Sequence, residues 1–175
     1  MRVLAVAVVV AVALATLGLG AAPASAKTKP PPNPCTVLLP ADLETIFEQP
    51  WVKGKEQIGG ACTLRRPNGV KVPDIVVSLI IEQKASPRKA KKAFERGLVA
   101  TEDIVPQIET IKGMGNEAYF TTIIGAEVLT FRVGRRIAEL RVDRIDRPEE
   151  TYRDQTIAAG EIVEARLTPV KKKAK

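Results

Sequence analysis

The residue types that usually perform catalysis are scarce in this sequence, and histidine is absent from its 175 residues. Without histidine, Ser-His-Asp and Cys-His catalysis, histidine-ligated zinc and a histidine pH switch are all excluded. Ser25, Ser78 and Ser86 are predicted to lie in an N-terminal leader, a strand and a helix cap. We therefore expect no catalytic residue, no metal site and a protein that is not an enzyme.

Paired carboxylates are the remaining route to acid–base chemistry. Two carboxylates could serve a glycosidase, but the chain offers only one Trp, two Tyr and four Phe for sugar stacking. Glu149 and Glu150 precede a predicted helix, where the helix dipole favours acidic residues. A carboxylate-based hydrolase is therefore an alternative to the main interpretation.

The segment Gly113-Met114-Gly115-Asn116-Glu117-Ala118 has the spacing of a dinucleotide-binding loop. Such a loop must lead from a strand into a helix, whose N-terminus then meets the pyrophosphate. Here a strand pattern follows instead of a helix. We interpret the segment as a glycine turn into a strand, and we expect no cofactor.

The N-terminal 26 residues have the features of a secretory signal. Met1 and Arg2 precede an apolar run, and Ala24-Ser25-Ala26 provides the small residues of a cleavage site. We predict cleavage after Ala26 and a secreted, extracytoplasmic protein; an uncleaved membrane anchor is the alternative. Pro34 directly before Cys35 argues against lipidation.

Cys35 and Cys62 are the only cysteines. In an exported chain they are expected to form one intramolecular disulfide. A reactive thiol pair would need closer spacing.

The net charge of +7 is carried by the ends of the chain. A Pro-rich linker is predicted at 27–34 and a basic tail at 169–175, whereas residues 30–170 contain 20 acidic residues and as many basic ones. A nucleic-acid-binding domain normally has its basic patch on the fold, so we expect no nucleic-acid partner. The lysine-rich tail is expected to be solvated, with at most weak contact with an anionic wall or membrane.

The periodicity of the apolar residues predicts a single α+β domain over 35–168, with a five-stranded antiparallel sheet, three helices and one disulfide. The predicted helices are 40–48, 87–99 and a C-terminal helix whose apolar stripe is Tyr152, Thr156, Ala159, Val163 and Leu167. The predicted strands are 61–66, 75–82, 117–124, 127–133 and 136–143.

Two-residue turns at Gly125-Ala126 and Gly134-Arg135 would fix the register of the last three strands. One face then carries the core residues Phe120, Phe131, Ala138, Thr122, Leu129 and Leu140. On the opposite face, Arg132 is expected beside the Tyr119 ring, where it could bind an anionic or planar group. The predicted ligand-binding residues are Tyr119, Thr121, Thr130, Arg132, Glu139 and Arg141. The alternative is an ordinary solvated outer face.

Four segments together resemble a known family. They are Cys35-Thr36-Val37-Leu38-Leu39-Pro40-Ala41-Asp42-Leu43, Gly60-Ala61-Cys62, the glycine turn from Gly113 to Ala118, and the C-terminal Ala158-Ala159 with Arg166-Leu167. This pattern is similar to actinobacterial exported proteins and lipoproteins of unknown function, related to extracytoplasmic sensor-type domains. The resemblance implies an α+β fold, a disulfide and no catalytic residues. Leu64 departs from it, since many members have an aromatic residue there.

The sequence as a whole predicts a secreted, non-catalytic binding or sensor-like module of the bacterial envelope. Its expected partner is an envelope ligand or protein, and it is expected to be a monomer. Besides the hydrolase, a wall-associated structural protein that uses its basic tail is an alternative.

Overall fold

Seven β-strands form one antiparallel sheet. The computed structural model describes residues 30–56, 60–67, 75–145 and 151–169. The strands are β1 Val52–Glu56, β2 Cys62–Arg65, β3 Ile75–Gln83, β4 Ile108–Thr110, β5 Glu117–Ile123, β6 Ala126–Val133 and β7 Arg136–Arg144. Their order in the sheet is β1-β2-β3-β7-β6-β5-β4. The helices are α1 Pro34–Val37, α2 Pro40–Phe47, α3 Pro87–Glu102 and α4 Arg153–Leu167.

The predicted α+β class, antiparallel sheet and disulfide are confirmed, but the predicted numbers of strands and helices are wrong. The described residues contain seven strands and four helices rather than five and three. The additional elements are α1, β1 and β4, which have three to five residues each and are too short to show a periodic pattern. The predicted signal peptide, residues 27–29 of the linker and residues 170–175 of the tail lie outside the described residues.

The disulfide joins α1 to β2. Cys35 and Cys62 are both buried, with their Cα atoms 5.0 Å apart. The side chain of Asn33 accepts a 2.8 Å hydrogen bond from the Cys35 N–H, so α1 begins inside the segment predicted as linker. None of the described helices is both long and apolar enough to cross a bilayer.

The first hairpin turn of the meander lies one residue earlier than predicted. Ile123 pairs with Ala126, so the turn residues are Ile124 and Gly125, and Gly125 has φ +72°. Strand β6 is therefore displaced by two residues against β5, and Phe120 lies opposite Leu129 rather than Phe131. An even displacement keeps every side chain on its predicted face but changes its neighbours.

The core lies between helices α1, α2 and α4 and one face of the sheet. This first sheet face is the one that carries Phe120, Leu129 and Leu140. Five of the six predicted core residues are buried: Phe120, Leu129, Phe131, Ala138 and Leu140. Thr122 is exposed instead, and the unpredicted Glu127 is buried on this face. Gly160 lets α4 approach the sheet closely, since a Cβ there would lie 2.3 Å from Leu129 Cδ2.

Helix α3 packs against β6 and β7 on the opposite side of the sheet from the core. This second sheet face is the one that carries Tyr119, Thr130 and Glu139. It buries Ala90 and Phe94, and the Phe94 ring centroid lies 5.3 Å from that of Tyr119. The expectation that this face is open to solvent is therefore wrong for the part beneath α3. The amphipathic pattern of the helix predicted a buried stripe but did not show which surface covers it.

Candidate functional site

All six predicted ligand-binding residues lie on the second sheet face, but their accessibility differs. Glu139 is exposed and Arg141 is partly exposed. The other four are buried: Tyr119, Thr121, Thr130 and Arg132. Whether these residues bind a ligand stays a prediction, and the four buried side chains do not form the open surface that was expected.

Arg132 holds the glycine turn instead of lying over the Tyr119 ring. The displaced register places it opposite Glu117, and its Nε donates a 3.0 Å hydrogen bond to Glu117 Oε2. Its Nη1 donates to Gly134 O at 3.0 Å and to Asn116 Oδ1 at 3.3 Å. These bonds engage the guanidinium within the protein, so the expected arginine–tyrosine contact is wrong.

Thr121 and Arg141 also have internal partners. Thr121 Oγ1 donates a 3.0 Å hydrogen bond to the carbonyl of Gln107, which lies next to β4. Arg141 Nε donates a 2.8 Å hydrogen bond to Asp143 Oδ1 on the same strand. Both side chains are thereby held along the sheet.

The other three residues lie in one cross-strand row. Tyr119 pairs with Thr130, Thr130 with Glu139, and Glu139 with Ile80. This row lines a cavity of about 460 Å³ between the sheet and α3. We call it the α3 groove; its lining on the strands is Ile80, Glu82, Tyr119, Thr130, Ile137 and Glu139, and on α3 it is Ala93, Phe94, Arg96 and Gly97, with Lys84 after β3.

Small residues on α3 keep the groove open. Ala93 and Gly97 are one helical turn apart and face the sheet from the same side of α3. A Cβ at Gly97 would have the Tyr119 hydroxyl as its nearest neighbour, 3.9 Å away. Because both residues are small, they leave a space between α3 and the sheet.

Glu139 is the carboxylate that the groove leaves without a direct partner. Among the described residues, no hydrogen bond or ion pair engages its carboxylate. Burial raises the pKa of Glu139; the charge of Arg141 opposes this shift, and the charge of Glu82 adds to it. The residue as a whole is exposed, so it lies in the groove within reach of solvent.

The other charged residues of the groove are better compensated. Lys84 Nζ forms an ion pair with a carboxylate oxygen of Glu82. Arg96 is exposed and also lines a depression on the outer side of α3, which places it at the rim. The groove thus combines an apolar floor with one unpaired carboxylate, an arrangement suited to binding a group by charge and apolar contact.

Two other sequence features have structural roles. The glycine turn leads into β5 as predicted, with Gly113 at φ +84° and Gly115 at φ +56°. The chain contains one Ser-x-x-Lys match, in which Ser86 Oγ accepts a hydrogen bond from the Lys89 N–H and caps α3. Within the ranges that the structure describes, no group of three or more Cys, Asp or Glu side chains could hold a metal ion.

Comparisons with models of known protein families, with curated proteins and with solved structures found no match. The resemblance to actinobacterial exported proteins therefore stays a prediction.

Proposed function

We propose that this protein is a secreted, non-catalytic binding or sensor-like module of the bacterial envelope, and that its ligand occupies the α3 groove. One observation carries the proposal. Glu139 presents an unpaired carboxylate in a cavity of about 460 Å³ whose floor includes Ile80 and Ile137. Ligand sites are typically concave and apolar, with a few polar groups that orient the ligand.

The cost of this arrangement supports a binding role. A carboxylate that is partly desolvated and lies near a second one, Glu82, opposes folding. Groups perturbed in this way are concentrated at functional sites. The walls of the groove are a β-sheet and a helix of 16 residues, so the site is formed before a ligand arrives.

The proposed location depends on the leader and the cysteines. The apolar run before Ala24-Ser25-Ala26 has the pattern of a secretory signal. The Cys35–Cys62 disulfide fits an oxidising compartment. Equal numbers of acidic and basic residues between 30 and 170 support a partner other than nucleic acid.

A carboxylate-based hydrolase is the second candidate, and one observation favours it. Glu139 has a raised pKa and shares the groove with Glu82, the pattern of a general acid beside a second carboxylate. The ion pair of Glu82 with Lys84 argues for the binding role. Hydrolysis of envelope polysaccharides or peptides by the wild type, lost in Glu139→Gln, would establish the hydrolase instead.

The proposal can be tested by native mass spectrometry of protein purified from its own envelope. Leucine at Ala93 should fill the groove, whereas leucine at the exposed Ala100 on the outer side of α3 is the matched control. We expect a ligand mass on the wild type and on Ala100→Leu, and none on a folded Ala93→Leu. The same ligand on all three proteins would place the binding site elsewhere.

A further inference from the structure

We infer that the α3 groove takes an amphipathic organic cation, whose ammonium group pairs with Glu139 and whose hydrocarbon part lies on Ile80 and Ile137. This inference rests on the proposed function, because it names the class of ligand for the same groove. Three features carry it: the balance of charges, the neighbours of Glu139 and the apolar floor.

The balance of charges in the groove favours a positive ligand group. Lys84 is paired with Glu82, and Arg141 beside the groove is bonded to Asp143. Arg96 lies at the rim, where water screens its charge. Glu139 is therefore the charged group in the interior of the groove that has no ion-pair partner among the described residues.

The neighbours of Glu139 suit a hydrogen-bond donor with several N–H groups. Thr130 lies directly opposite Glu139 on β6, and side chains paired in this way have Cβ atoms about 5 Å apart. A hydroxyl oxygen and a carboxylate can both accept from one ammonium, which has three N–H donors. A bound ammonium would also offset the desolvation that raises the pKa of Glu139.

The floor of the groove provides the apolar contact. Ile80 leaves 38% of its surface exposed, although it lies on β3, an interior strand between β2 and β7. Ala93 and Gly97 form the facing wall, and neither has a polar side-chain atom. A hydrocarbon chain of several carbons would cover Ile80 and gain affinity from each CH₂ group that it buries.

Three probes of equal length test the class of ligand by calorimetry at neutral pH: hexylammonium, 1-hexanol and hexanoate. We expect hexylammonium to bind at least tenfold more tightly than 1-hexanol, and hexanoate to bind most weakly. Glu139→Gln should bring the affinity for hexylammonium down to that for 1-hexanol. Glu161→Gln, on the exposed side of α4, should leave it unchanged.

The variant Ala93→Leu separates the two ways in which the idea could fail. If Ala93→Leu blocks all binding but hexanoate is preferred in the wild type, the groove is a binding site and the cation inference is wrong. If no probe binds the folded wild type, or if Glu139→Gln binds hexylammonium as the wild type does, the cation inference is also overturned. The co-purified ligand then decides the proposed function separately.

Discussion

The Glu127 carboxylate accepts a 2.9 Å hydrogen bond from the backbone N–H of Tyr152, the residue that caps α4. Glu127 is on β6 and only 1% exposed. Its oxygens also accept hydrogen bonds from the Thr151 hydroxyl at 2.9 Å and the Thr156 hydroxyl at 3.2 Å, and Arg144 Nη1 lies 4.0 Å away. A single buried carboxylate thus joins the sheet to the start of the C-terminal helix.

Replacing Glu127 should destabilise the fold strongly. Glu127→Ala removes the acceptor of three hydrogen bonds and leaves Arg144 without this carboxylate, so we expect a loss of about 3 kcal/mol. Urea denaturation measures the free energy of unfolding. Glu161→Ala, at an exposed position of α4, is the control. Equal urea midpoints for the two variants would show that the hydrogen bonds of Glu127 at the start of α4 do not stabilise the fold.

The two glycines of the turn should differ in their tolerance of a side chain. A Cβ at Gly115 would lie 2.5 Å from the carbonyl oxygen of Arg132, whereas a Cβ at Gly113 would meet no atom within 4 Å. Both have positive φ. Gly113→Ala should therefore cost about 1 kcal/mol from backbone strain alone, and Gly115→Ala clearly more. Thermal denaturation of both variants compares them, and similar losses would contradict the close approach.

Arg132→Ala should reduce stability, which reverses the expectation for an exposed ligand-binding side chain. The substitution removes hydrogen bonds to Glu117, Asn116 and Gly134 at a site that is only 8% exposed. We expect a loss of about 2–4 kcal/mol in denaturant unfolding. Arg88→Ala, on the exposed side of α3, should remain within about 0.5 kcal/mol of the wild type. If Arg132→Ala were as stable as the wild type, the Arg132 side chain would have no structural role.

Loss of the disulfide should lower the melting temperature. The bond closes a loop between Cys35 and Cys62, which are 27 residues apart. The chain-entropy model gives roughly 3.5 kcal/mol for such a loop. Calorimetry of the double variant Cys35→Ser/Cys62→Ser measures the difference, and non-reducing peptide mapping checks the pairing. Free thiols in freshly secreted protein would contradict the bond.

Glu139→Gln should stabilise the protein at neutral pH by less than about 1 kcal/mol, because solvent contact reduces the penalty. The pKa of Glu139 is raised above its ordinary value of 4.5. The folded state therefore loses stability as pH rises from 4.5 through the raised pKa, and the deficit persists above it. The difference between variant and wild type should disappear below pH 4.5, as followed by thermal melts.

The comparison needs a control for the other charges that line or flank the groove: Glu82, Lys84, Arg96 and Arg141. Of these, Glu82 is the other carboxylate, and it is paired with Lys84. Glu82→Gln removes that ion pair and should not stabilise the fold. If Glu139→Gln instead loses stability at neutral pH, the charged carboxylate contributes favourably and the raised pKa is contradicted.

The features that arise from local patterns could be predicted from the sequence. Alternating apolar residues placed Phe120 and Phe131 on the core face, because successive side chains of a strand point to opposite sides. Ser86 and Pro87 marked the start of α3, since a cap hydroxyl and a fixed φ act within one turn. The displaced turn at Gly125 left these face assignments intact.

The contacts of each surface could not be predicted in this way, because they depend on how distant segments pack. An amphipathic helix pattern indicates that one side of α3 is buried, but the partner surface is chosen by packing between distant segments. The same limit applies to Glu127, which occupies a core position because Tyr152 and Thr156 reach it from another part of the chain. The α3 groove arises in the same way. Ala93 and Gly97 are ordinary small residues in the sequence, and they form a cavity only when Glu139 and Ile80 lie across from them.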